Sequence, residues 1–356
     1  MAEKLTEVLE QYGITAASIV RGRGAFFCRE QDRLYKLEPF EGSEGRLLRE
    51  YEIKERLYHA GFSNIDRYIQ VVEQEEEKNV EARGSDNTVP RSEARGTDNT
   101  ADHLIAADRY RNSYVMKQYF DGHECDLKDE REVALAMENL SELHMVGRQI
   151  VKDRMPDLKP KSVDTFIRHN KELKRVRSFI SKQNHKNEFE RKYLPISMFF
   201  ISRAQEAEQA LKNSLAHENP KRLGLCHGAY HQHNVLIMET GVATVHFEQF
   251  HFDNQLTDLY YFTRKLLEKN HYDYEPFKNA LLTYEQREAL DAQDYTYLYL
   301  LFSYPEKFWK LSNHYMNANK AWIPPKMLEK LDNMLQLEEE KDLFLKAFVE
   351  DYGIRI

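Results

Sequence analysis

One stretch constrains this chain more than any other: Leu225-Cys226-His227-Gly228-Ala229-Tyr230-His231-Gln232-His233-Asn234-Val235-Leu236-Ile237. Its apolar ends read as short strands and its polar middle as a loop. A second run, Thr244-Val245-His246-Phe247-Glu248, follows after Glu239-Thr240-Gly241, which reads as a turn. The order strand, loop, strand, turn, strand gathers many side chains capable of chemistry on one rim. A fold built on this chain has to place that rim.

Composition bounds the rest. At 356 residues, 41% hydrophobic and 31% charged, the chain can fill two lobes or small domains with their own cores. No apolar run approaches the roughly 20 residues of a membrane span, so no span is expected. The first ten residues lack the apolar centre of a signal peptide, and export is not expected; Leu5, Val8, Leu9 and Tyr12 instead suggest a short amphipathic helix. Cys28, Cys125 and Cys226 are odd in number and far apart, indicating neither a disulfide framework nor a zinc site, and fitting a reducing cytoplasm. A formal charge of −8 argues against a nucleic-acid partner, because phosphate backbones need a basic surface.

Along the chain, Ser18–Cys28 reads as strand, glycine turn and strand. Gly22-Arg23-Gly24 suits either a hairpin or a turn over phosphates. Arg33–Leu37 is a short strand centred on Lys36, and a helix is expected from Gly45 to His59 with Gly61 as its stop. Lys36 is best paired with Glu50, with Glu52 as the other choice. Ile69–Glu75 reads as a further strand. Glu81–Thr88 then recurs almost unchanged as Glu93–Thr100, a local duplication in a polar loop that cannot bury a core. Ser113–Gly122 is a strand with a glycine turn, followed by a helix whose Val133, Met137, Leu140 and Leu143 share a face and which should close at Leu143-His144. Asp164–Leu215 is helical, with a break expected at Leu194-Pro195. Helices follow over Leu259–Leu267, Glu275–Leu282, Gln286–Ala292, Tyr295–Leu301 and Met327–Tyr352. His227, His231, His233, His246 and His251 crowd one neighbourhood, but without a fixed metal spacing they read as loop histidines rather than a zinc site.

The Leu225–Glu248 block resembles the catalytic and metal loops of aminoglycoside- and choline-kinase-like phosphotransferases. In that family the first loop reads His-Gly-Asp, four residues, then Asn, and the second reads Ile-Asp-Phe-Asp/Glu. The resemblance implies an α+β, bilobal protein-kinase-like fold with a small antiparallel β-sheet N-lobe and a mainly helical C-lobe. The corresponding division is residues 1–113 with a polar repeat loop at 76–104, a hinge at 114–122, and 123–356 containing the loop region 225–248. It further implies Lys36 reaching phosphates with Glu50 holding it, and Asp258 capping its helix and bracing the loop. The departures are Ala229 at the proton-accepting Asp and His246 at the metal-binding Asp; His227 and Asn234 keep their places as vestiges.

Over nearly its full length the chain resembles, more specifically, the CotS-type spore-coat proteins of endospore-forming bacilli, and within them the YutH-like branch. The resemblance rests on Tyr230–Asn234, Asp258–Phe262 with Arg264-Lys265, and Tyr304-Pro305-Glu306-Lys307-Phe308-Trp309 with Trp322. It implies a protein made in the mother cell and assembled on the spore coat with other coat proteins; Ala229 and His246 in place of the carboxylates make it a pseudokinase, with no cofactor expected. The alternatives are an ATP- and Mg²⁺-dependent small-molecule phosphotransferase with Asn234 and Glu248 on the metal, or a sensor that binds nucleotide through Lys36, Glu50, Asn234 and Glu248 without hydrolysing it.

Overall fold

Leu5, Val8, Leu9 and Tyr12 recur at helical spacing; the first three are buried on helix α1 (Ala2–Gln11), and Tyr12 is buried in the turn just after it. This is a computed structural model that describes residues 2–22, 24–72, 101–151, 160–214, 216–318 and 325–354. The described residues fall into two compact units: those up to Gly122 other than 60–62, and 60–62 together with those from His123 onward.

The first unit is a five-stranded antiparallel sheet. Strands β1 (Ser18–Gly22), β2 (Ala25–Glu30), β3 (Arg33–Pro39), β4 (Ile105–Ala107) and β5 (Ser113–Tyr119) run in the order β1-β2-β3-β5-β4. Alternation decides what each face of the sheet holds. On one face Cys28, Tyr35, Leu37 and Met116 pack with α1 into an apolar core. The Tyr12 hydroxyl sits in that core, 3.0 Å from the Leu104 carbonyl and 2.9 Å from that of Tyr114. On the other face, Lys36 of β3 lies directly opposite Lys117 of β5. Helix α2 (Glu44–His59) buries Leu47, Glu50, Ile53, Lys54 and Leu57, and Leu47 packs with Tyr68, Leu104 and Val115.

The expected strand at Ile69–Glu75 is not formed over its described part. Residues 67–69 instead continue the β4 edge for a few bonds: Gln118 N–H donates to Arg67 O at 2.7 Å and Ile69 N–H to Met116 O at 2.8 Å. The duplicated octapeptide and Trp322 lie outside the described residues.

The second unit is mainly helical, with two small sheets. Strand β6 (His123–Glu124) joins β8 (Val235–Met238) and β9 (Gly241–Thr244), while β7 (Leu223–Cys226) pairs with β10 (His251–Asn254). Helix α3 (Glu130–Val151) runs past His144, contrary to the expected end there, because His144 is fully buried and bonded at 2.8 Å to the Tyr284 hydroxyl. Helix α4 (Ser162–Ser181) is followed by α5 (Glu188–Ser214), and Pro195 lies inside α5 rather than breaking it. Proline removes one bond in a helix interior. Here buried Phe189, Tyr193, Phe200 and Ile201 on both sides of it hold the helix to its neighbours.

The remaining helices are α6 (Leu256–Lys269), α7 (Tyr274–Glu285), α8 (Ala292–Ser303), α9 (Glu306–Asn317), α10 (Pro325–Gln336) and α11 (Glu338–Tyr352). The helix expected over Gln286–Ala292 is a turn, ended by the Asp291 cap of α8, whose side chain accepts from Gln293 and Asp294 N–H. The single helix expected from Met327 onward is two, divided at Leu337.

Aromatic packing dominates this core. Phe277 and Phe302 meet Phe344 and Phe348 edge to face, and Phe308 stacks between Tyr193 and Phe200 at 4.9 and 4.4 Å. The Tyr304–Trp309 run is part of it. The Tyr304 hydroxyl donates to Asn170 Oδ1 at 2.9 Å, and Trp309 stacks on His169 while its indole N–H bonds Glu172 at 2.7 Å.

A buried ion cluster ties the start of β7 to α8. Arg222 binds Asp294 through Nε at 2.9 Å and Nη2 at 2.6 Å, and Glu288 at 3.1 Å; Asn219 Nδ2 bonds the other Asp294 oxygen at 2.9 Å. Removing one partner of such a pair strands a buried charge. Asp294→Ala is therefore expected to lower unfolding stability by about 3–5 kcal/mol, read from urea denaturation midpoints; a change within experimental error would contradict that role.

Candidate functional site

The loop between β7 and β8 hangs on one carboxylate. Asp258, in the first turn of α6 and fully buried, accepts the His227 N–H at 2.6 Å and the Gly228 N–H at 2.9 Å, one on each oxygen. It braces the loop as expected but does not cap its helix; the residue before α6 is Gln255, whose side chain makes no cap bond. Burial pushes the Asp258 carboxyl up, and the His144 imidazole, 3.6 Å away, outweighs it and holds the group below the usual carboxylate range. Burial drives His144 the other way, toward the neutral form. The arrangement is thus an ionised carboxylate held on two backbone amides.

His227 is fixed from both nitrogens. Its Nε2 lies 3.1 Å from the Val245 carbonyl, which can only accept, so Nε2 carries the proton. Nδ1 then accepts the Ala229 N–H at 3.2 Å. The ring packs against buried Phe247 with centroids 4.5 Å apart. Asn234 donates its amide to the Ala229 carbonyl at 2.9 Å, closing the loop on itself, and Val245 N–H returns to the Asn234 carbonyl at 3.0 Å. These bonds and contacts bring His227, Ala229, Asn234, Val245 and Phe247 together.

The second loop has a backbone feature that no pattern announced. His246 is left-handed, φ 69° and ψ 58°. For a residue with a Cβ this costs about 1–2 kcal/mol, so the surrounding packing imposes it. Phe247–Gln249 is a turn of 3₁₀ helix, so His246 and Glu248 do not lie along one strand. The two side chains are instead neighbours across that turn, His246 Nδ1 lying 3.6 Å from Glu248 Oε1.

Gly228 explains how the two loops fit. Its φ is +79°, and a Cβ there would stand 2.1 Å from the Gln249 carbonyl oxygen. Asn139 on α3 supports the same region, its Oδ1 accepting from Thr244 Oγ1 at 2.6 Å and lying 3.0 Å from the Tyr230 hydroxyl. Gln255 bonds the carbonyls of His144 and Leu225 at 3.0 and 2.9 Å and accepts from Arg148 at 2.7 Å. Asn139, Gln255 and Arg148 went unread in the sequence; each is a common residue whose role depends on partners from about thirty to more than a hundred positions away.

The other histidines do not converge. His231 is pushed down to about 4 by burial, aided by neighbouring His233 and His227. His233 pairs with Glu124 at 2.5 Å, and His251 with the Gln249 carbonyl at 3.0 Å. Among the described residues no group of three or more His, Cys, Asp or Glu is placed to hold a metal ion. A hard divalent cation asks for several oxygen ligands. At the positions where the resemblance implies one, the chain offers the Asn234 amide, the His246 imidazole and the Glu248 carboxylate beside that imidazole. This set does not fit Mg²⁺.

In the first unit, the partners differ from the expected Lys36–Glu50 pair. Lys36 Nζ is 2.6 Å from Glu38, and Glu50 is 2.7 Å from Lys54 and 3.6 Å from Lys117. Glu52, the other choice, pairs with Arg56 at 2.6 Å.

No family model and no curated protein sequence matches the chain. Solved structures do. An aminoglycoside phosphotransferase from Alicyclobacillus acidocaldarius is similar with a TM-score of 0.77 at 14% identity, covering 98% of this chain and 96% of that one. The spectinomycin phosphotransferase APH(9)-Ia, solved with ADP and spectinomycin, gives a TM-score of 0.60 at 12% identity over 97% and 98% of the chains. An ethanolamine kinase of Plasmodium vivax gives 0.52 at 11% identity over 90% and 80%. The fold is therefore that of the aminoglycoside-phosphotransferase and kinase-like proteins, with an antiparallel β-sheet N-terminal unit and a mostly helical C-terminal one.

Two outcomes check the loop geometry. Gly228→Ala should destabilise the protein well beyond Gly24→Ala, a glycine of similar φ (+82°) with nothing within 4 Å of its Cβ position, for which only the backbone term of about 1–2 kcal/mol applies. Equal melting temperatures for the two variants would refute the close approach to Gln249. Because the Asp258 pKa lies below its unfolded value of about 3.9, its contribution is present above that pH and lost as pH falls through the depressed value. Asp258→Asn should lower stability at pH 7 and flatten the acid limb of the stability–pH curve; an unchanged limb would count against the ionised clamp.

Proposed function

We propose that this chain is a pseudokinase, a kinase-fold protein that does not transfer phosphate, and that it serves as a structural or assembly component of the bacterial endospore coat. One observation carries the loss of chemistry: the loop frame stands intact around two positions that have no carboxylate. Asn234 still ties to the carbonyl of residue 229, and residue 246 is still forced left-handed before buried Phe247. Yet Ala229 has no atom that accepts a proton, a loss worth roughly 10²–10⁴-fold in rate. His246 offers a nitrogen where a hard cation needs charged oxygen.

The spore-coat context is supported by the sequence resemblance of Tyr230–Asn234, Asp258–Phe262 and Tyr304–Trp309. In the structure the Tyr304–Trp309 run is core and the Asp258 stretch braces the loop, which suits a fold kept for its shape. On this reading the protein is made in the mother cell, takes its place among other coat proteins, and needs neither ATP nor Mg²⁺.

The test is ATP turnover by purified full-length protein with Mg²⁺ and a panel of hydroxylated acceptors. No turnover above background is expected, and Ala229→Asp/His246→Asp should gain metal-dependent turnover. Wild-type turnover that disappears in Glu248→Gln would overturn the reading in favour of a phosphotransferase. A fluorescent fusion that stays diffuse in sporulating cells and is absent from spores would sink the coat assignment.

A further inference from the structure

The sheet of the first unit carries a set of buried charges that the loop chemistry does not use. Lys54 of α2 is 2.7 Å from Glu50 and 2.9 Å from Asp66, and Lys117 of β5 is 3.6 and 4.0 Å from the same two carboxylates. Both ammonium groups also face the Tyr68 ring, at 4.7 and 5.0 Å. Two lysines and two carboxylates thus form a neutral group, with side chains exposed by 4% or less.

Lys36 and Glu38 stand at its edge. They are two apart on β3 and so share a face, and Lys36 is directly opposite Lys117 in the register. The Glu38 carboxylate bridges these two lysines, Oε1 lying 2.6 Å from Lys36 Nζ and Oε2 3.2 Å from Lys117 Nζ. Its side chain is 23% exposed, against 7% for Lys36 and 2% for Lys117. Glu38 is therefore the most exposed of the three, and its carboxylate lies over both ammonium groups.

Two ammonium groups converging on the two oxygens of one acceptor are what a phosphate group asks for, and a carboxylate fork is the protein's own version of that acceptor. We infer that Glu38 is an internal anion that fills a phosphate seat formed by Lys36 and Lys117, closing this sheet to polyphosphate ligands. Without the Glu38 charge, Lys36 adds one positive charge to a neutral group and the seat attracts an anion. With it the cluster is balanced, and an incoming polyphosphate meets a carboxylate at hydrogen-bonding distance from both lysines. This goes beyond the missing groups at residues 229 and 246, because it concerns binding rather than transfer.

The experiment is calorimetric titration of the full chain with inorganic tripolyphosphate in metal-free buffer. Glu38→Gln should bind at least about tenfold tighter than wild type, since a like-charge contact is removed, and Glu38→Gln/Lys117→Met should return to wild-type affinity. Equal affinities of Glu38→Gln and wild type would overturn the inference. If Glu38→Gln does not give folded protein by circular dichroism, Lys36→Met in the otherwise wild-type chain decides. A closed seat leaves weak wild-type binding unchanged, whereas loss of strong wild-type binding shows the seat to be open. Tighter binding by Glu38→Gln together with ATP turnover would support the closed seat and refute the pseudokinase; unchanged binding without turnover would do the reverse.

Discussion

The second unit depends on a buried carboxylate that never meets solvent. Asp258 takes one backbone N–H on each oxygen, from His227 and Gly228, and so converts a polar loop into a fixed object. Everything else at the site follows from that anchor. His227 is turned so that its ring bridges the Val245 carbonyl and the Ala229 amide, which leaves Phe247 to pack on its face. The loop can then lie against the next one only where residue 228 has no Cβ. Charged hydrogen bonds to backbone amides are among the stronger ones, and here they are shielded from water, so the frame does not need a ligand to hold its shape.

That independence rests on a small set of side chains. The loop is shaped by residues spread along the chain. Asp258, Gly228, His227, Asn139 and Gln255 shape it through backbone and amide contacts. The first unit follows the same logic. Its buried lysines are satisfied internally by Glu38, Glu50 and Asp66.

Much of this was legible in the chain. The strand–loop–strand–turn–strand order, the apolar spacing of Leu5, Val8, Leu9 and Tyr12, and the hairpin of β1 and β2 follow from periodicity and turn residues, which are local properties. The elements that read wrongly were those where tertiary packing overrode a local signal. Pro195 should end a helix, yet α5 continues because buried aromatics on both sides hold it. His144 looks like a helix end, yet α3 runs on because its imidazole has a buried partner in Tyr284. Gln286–Ala292 has helical composition, yet Asp291 caps the next helix and cuts it short.

By itself the sequence determined which groups are available at the candidate site. Ala229 cannot accept a proton and His246 cannot supply a carboxylate in any fold, since that follows from side-chain chemistry alone. It also determined the order of strands and loops that brings those positions near Asn234 and Phe247. Only the tertiary structure decided the partners. Lys36 sits on Glu38, and Glu50 on Lys54 and Lys117, because strand register and the placement of α2 fix distances that spacing cannot. The left-handed turn at His246 belongs to the same class. A strained backbone is held by long-range packing around it, and no residue in the turn announces it.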